Sequence, residues 1–167
     1  MGCLGVHFSL SAAEVDRLRE IEEDRERLDY LEESIEEDYF TNHQDDLAES
    51  DKAWDAMHRC FEGGRLTWDG GEYPLNHVDL GGEPLYFDDD YIMSLKTPEE
   101  VRDVAAALPE ITEADMRKRY FAIDPHEYGM DLSDEDFNYT WEYFQGVRSL
   151  CLKAAFEGRF VLFTASQ

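Results

Sequence analysis

Basic side chains are scarce in this sequence: fifteen Lys and Arg stand against forty Asp and Glu, a formal net charge of −25. Such a balance repels nucleic-acid phosphates and anionic membrane surfaces alike. Cysteine is scarce too, and Cys3, Cys60 and Cys151 lie far apart in no CxxC pair. Three isolated thiols argue against a disulfide framework or a thiolate zinc site and suit a reducing cytoplasm. Long apolar runs are missing. Nothing approaches the roughly 18 to 20 residues that span a bilayer, and the first residues lack the basic and apolar regions of a secretory signal. The expectation is a cytoplasmic protein that meets neither nucleic acid nor membrane.

What is present suffices for a core. The 167 residues are 43% hydrophobic, with ten Phe, nine Tyr and three Trp, which predicts one domain over 1–167. Leu4, Val6, Phe8 and Leu10 alternate with Gly5, His7 and Ser9, the period of a half-buried strand. "SAAE" (Ser11 to Glu14) then reads as a capping box opening a helix. Its apolar stripe runs through Val15, Leu18, Ile21, Leu28, Leu31 and Ile35. Between Leu28 and Asp51 stand ten acids and no Lys or Arg, giving a negative face and an acidic connector near "TNHQDDLAES".

Further signals follow along the chain. A helix from Asp51 to Phe61 is predicted, capped by Ser50 and stopped by Gly63 and Gly64. Asp69-Gly70 suggests a hairpin. "TPEE", "TEAD" and "SDED", beginning at Thr97, Thr112 and Ser133, are helix starts. The last opens a long amphipathic helix ending near Gly158, and "RFVLFTA" closes the chain as a strand. The fold predicted is α+β, with both terminal strands in one small sheet covered by helices.

Chemistry-bearing motifs are sparse. No GxSxG, GxxxxGK[ST] or GxGxxG occurs, so no cofactor is expected. His7, His43, His77 and His126 stand singly, without the local spacing of a metal site. Asp88, Asp89 and Asp90 read as a solvated turn. The Asp131 to Glu142 segment has Asp136 where a calcium loop needs glycine, and no metal site is predicted.

The densest polar and aromatic group is "SDKAWDAMH", in which Asp51, Trp54, Asp55 and His58 recur three, four or seven residues apart. On one helix face, an imidazole beside a carboxylate and an indole can act as a general base or ligand clamp. The alternative places Trp54 in the core and His58 on a backbone carbonyl.

"MGCLGVHF", "DKAWDAMHRCFEG", "LGGEPL" with "SLKTPEEV", and "AAFEGRFVLF" together resemble the YfbM-like proteins, domain of unknown function family 1877. The resemblance covers nearly the whole chain and implies a bacterial, cytoplasmic α+β protein, with no established activity or cofactor. It also favours a strand at "MGCLGVHFSL" over acylation at Gly2 and Cys3, as does Val6 where the myristoylation pattern wants Ser or Thr. Two functions remain in play. One is a non-catalytic immunity-like or regulatory protein whose acidic face captures a basic protein partner. The other is a small enzyme or ligand-binding protein with its site around Trp54, Asp55 and His58.

Overall fold

Four helix starts close as the sequence prescribes, at Ser11, Thr97, Thr112 and Ser133, each with a side-chain oxygen accepting a first-turn N–H that has no partner within the helix. Ser11 Oγ accepts from Glu14 N at 3.3 Å to open α1 (Ala12–Glu20). The computed structural model describes residues 4–68 and 70–166. In chain order, β1 (Leu4–Leu10) precedes α1, followed by α2 (Asp24–Tyr30), a π-helical stretch (Leu31–Glu36) and α3 (Glu37–Asn42). Next come β2 (Leu47–Asp51), α4 (Ala53–Phe61), β3 (Glu83–Phe87) and β4 (Tyr91–Lys96). The remainder is α5 (Pro98–Ala107), α6 (Glu113–Tyr120), α7 (Pro125–Tyr128), α8 (Asp134–Glu157) and β5 (Phe160–Ser166). Thr97, Thr112 and Ser133 cap α5, α6 and α8 through their side chains, and Gly158, at φ +68°, ends α8.

The five strands form one antiparallel sheet in the order β2-β1-β5-β4-β3. Both terminal strands lie in it, with Leu4 opposite Ser166 and Leu10 opposite Phe160. Helices cover both faces. Val6, Phe8 and Leu10 pack with Val15, Leu18, Leu31 and Ile35 of the α1 to π-stretch side. Across the sheet, Phe163 and Ala165 meet Trp54 and Leu80, and beyond them α4, α6 and α8 build a second core around Met57, Phe61, Met116 and Phe144. Hence β1 is not the half-buried strand its alternation suggests: His7 and Ser9 are fully buried as well. A strand inside a three-layer stack has no solvent face.

Three expectations need correcting. The stripe from Val15 to Ile35 does not run along one helix, because the chain breaks between α1 and α2. There the Arg27 guanidinium holds the Leu18 and Ile21 carbonyls and also Leu85 O, satisfying groups the helix end leaves open. "TNHQDDLAES" is no loose connector, since it ends α3, makes a 3₁₀ turn at Gln44–Asp46 and becomes β2. Ser50 caps nothing: its side chain is buried within paired β2, and α4 starts two residues later than expected, after Lys52 and without a side-chain cap. Strand pairing to β1 wins over capping there. Of the expected hairpin turn, Asp69 lies outside the described residues; the hairpin present joins β3 to β4 across residues 88–90. Gly2 and Cys3 are likewise outside the described residues.

Candidate functional site

The four residues singled out in the sequence go to different places. Trp54 is 3% exposed, its ring 5.4 Å from that of Phe163. His58 is fully buried, with Nε2 2.6 Å from both the Thr67 carbonyl and Glu62 Oε2. Burial pushes its imidazole down to about 4, outweighing the Thr67 hydrogen bond, which pulls the other way. At neutral pH His58 is therefore an uncharged N–H donor. Asp55 accepts a 2.6 Å hydrogen bond from Arg59 Nε. Asp51 is not on α4 at all. It ends β2 at φ +45°, a left-handed conformation that Asp tolerates better than most residues, and this turn swings the chain from strand into helix.

Asp51 instead borders a cleft at one end of the sheet. Register explains the position: Leu4, Ser166 and Tyr91 stand in one row across β1, β5 and β4, with Asp51 beside Gly5. Above that row passes the π-helical stretch. It closes with a bond from Glu37 N–H to Glu32 O, and Glu32 and Glu36, four residues apart on one face, both reach the cleft. Glu49 of β2 and Asp51 supply two further carboxylates, and Phe40, Tyr91 and Tyr143 the aromatic walls. The cavity measures about 380 Å³. None of Trp54, Asp55 and His58 borders it, and none of its described lining residues is Lys, Arg or His.

Its electrostatics follow from crowding. Burial raises the Glu36 carboxyl above the usual carboxylate range, the charge of Glu32 raises it further, and a hydrogen bond from Tyr91 opposes both. Tyr139 fixes Asp51, donating to its Oδ2 at 2.6 Å while accepting from Lys52 N at 3.2 Å. Burial and that carboxylate push the Tyr139 phenol up to about 12, so it remains a donor. The carboxylates provide negative charge and the ring faces the geometry of cation–π contact, with no Lys, Arg or His among the described lining residues.

A second polar group went unnoticed in the sequence. Lys96, 1% exposed, donates to Asp79 O, to Ser94 Oγ at 2.7 Å and to Ser94 O at 3.3 Å. His7 Nε2 donates to Val78 O at 2.7 Å and lies 3.4 Å from Asp79 Oδ1. Isolated in sequence on β1, a loop and β4, these residues give no spacing signal. Among the described residues no group of three or more His, Cys, Asp and Glu is placed to hold a metal ion, and no helix is long and apolar enough to cross a membrane.

The fold and cleft define an α+β protein with helices on both faces of an antiparallel sheet and an acidic, aromatic-walled cavity at one sheet end. The chain belongs to the family described as Domain of unknown function (DUF1877), whose model matches residues 1–164. Its fold is similar to that in the crystal structure of YfbM, a protein of unknown function from Escherichia coli, with a TM-score of 0.63 at 18% identity. That likeness covers 97% of this chain and 99% of the other. The search of curated proteins finds no match.

Proposed function

We propose that this protein is a non-catalytic binding protein that captures a cationic group of a basic partner protein in the cleft at the sheet end. The observation that carries this reading is the lining: Glu32, Glu36, Glu49 and Asp51 share a cavity with Phe40, Tyr91 and Tyr143 and, among the described residues, with no basic side chain. Carboxylates brought together in a partly desolvated space repel one another, and an incoming cation relieves that cost. The net charge of −25 acts in the same direction at longer range, steering a basic partner and speeding its encounter. Affinity then comes from ring stacking and charge-assisted hydrogen bonds inside the cleft. Cys60 and Cys151, both free and buried, suit an encounter in the reducing cytoplasm.

The test is calorimetric titration of the intact protein with a short arginine-containing peptide at low and high salt. Binding that weakens as salt rises, and that falls in a Glu36→Gln/Glu49→Gln variant, supports capture by the cleft. No heat of binding at low salt, or an affinity unchanged in the double variant, would sink it.

A further inference from the structure

Beside the cleft lies a second cavity, also of about 380 Å³, bordered by Glu49, Tyr139, Glu142, Tyr143 and Gly146. Glu49 and Tyr143 border both cavities. We propose that the two form one groove that takes two arginine side chains of a single peptide, one in each cavity, with Glu49 and Tyr143 as the shared wall. The inference rests on the cation-capturing role of the first cavity and adds the number and spacing of the cations.

The second cavity repeats the chemistry of the first. Glu142 and Glu49 supply carboxylates, while Tyr139 and Tyr143 stand edge to face with centroids 5.1 Å apart. The Tyr139 ring is oriented in advance, because its hydroxyl is held by Asp51 and by Lys52 N. Gly146 is a separate pointer. It sits inside α8, where glycine costs roughly 0.5 to 1 kcal/mol relative to alanine. Packing does not demand it, since a Cβ there would meet nothing within 4 Å. What the missing side chain does is leave that wall of the cavity low.

Arginine fits better than a simple ammonium. A planar guanidinium bonds carboxylates two at a time and stacks on tyrosine faces, and each cavity offers both. Joining two such side chains through one short backbone makes the second capture intramolecular, which strengthens binding without any new contact.

The experiment compares acetyl-Arg-Gly-Arg-amide, acetyl-Arg-Gly-Gly-amide and spermidine by calorimetry on the intact protein. The di-arginine peptide is expected to bind at least about tenfold more tightly than the single-arginine one. Gly146→Phe, which fills the second cavity, should bring the di-arginine peptide down to the single-arginine affinity measured on the same variant. Exposed Glu142→Gln gives the same separation should the phenylalanine disturb α8. Equal affinities for the two peptides, or tighter binding of spermidine, would overturn the two-arginine groove and leave single-cation capture standing. Failure of both peptides to bind would overturn the cation-capturing role itself, and the groove with it.

Discussion

Tyr139, in the first third of α8, donates a 2.6 Å hydrogen bond to Asp51 Oδ2, and Asp51 is the one non-glycine residue at positive φ among the described residues. A helix and a strand end 88 residues apart are thereby joined at the turn where β2 passes into α4. Bonds to a charged acceptor contribute more than neutral ones. Tyr139→Phe is expected to lower stability by about 1 to 2 kcal/mol, read from the denaturant midpoint.

Glu36 offers a prediction in which stability and binding move in opposite directions. Its carboxyl is raised in the folded protein, chiefly by burial and then by Glu32, so the native state favours the protonated form. Its contribution to stability is present below the unfolded-state value and is lost as pH rises through the folded value. Glu36→Gln should therefore hold or raise stability at pH 7 and flatten its pH dependence over the range above the ordinary carboxylate value. Cation binding at pH 7 should fall about three- to tenfold. In the unsubstituted protein, that binding should weaken on acidification at a higher pH than an ordinary carboxylate would cause.

Lys96 and Asp79 are both buried, and the Asp79 carboxylate oxygens accept no hydrogen bond among the described residues. Burial pushes the Lys96 ammonium down and the Asp79 carboxyl up, and each charge resists the other's shift. Removing one member takes away the opposite charge that resists burial, so the other is pushed further toward its neutral form at an energetic cost. Asp79→Leu or Lys96→Met alone should cost about 3 to 5 kcal/mol, and the double variant clearly less than the sum. Additive losses in urea titrations would show that the two are not coupled.

Gly5 is sterically pinned. A Cβ there would sit 2.6 Å from Ser50 Oγ and 2.8 Å from Trp54 Cδ1, in a layer where Trp54 is itself packed on Phe163. Gly5→Ala should lower stability by about 1 to 3 kcal/mol, detectable as a drop in Tm.

Local devices were legible in the sequence because their partners are neighbours. The Ser11, Thr97, Thr112 and Ser133 caps need only a residue three positions on, and each forms. The apolar strands at both ends were equally plain, and they do share a sheet. Ser50 misled, since a Ser before an amphipathic run looks the same whether it caps a helix or ends up in a buried strand. His58 drew notice through its spacing from Asp51 and Trp54, yet its contacts are the Thr67 carbonyl and Glu62. The acidic stretch from Leu28 to Asp51 was plain in the sequence and holds all four cleft carboxylates, but nothing local showed that Glu32, Glu36, Glu49 and Asp51 meet there. Glu36, Glu49, Tyr91 and Tyr143 come from four elements: the β2–β1–β5–β4 pairing brings Glu49 and Tyr91 to one end of the sheet, and Glu36 and Tyr143 reach it from the π-helical stretch and α8.

That same register has a mechanical meaning. Leu4 sits opposite Ser166 at the open end of an antiparallel pair in the middle of the sheet. Tension drawing these two positions apart loads one rung of the β1–β5 ladder at a time and peels it from the cleft inward, where a shearing geometry would load every rung at once. The deepest strands of the fold are thus the first to part under load, and the cleft is the first thing such a pull destroys.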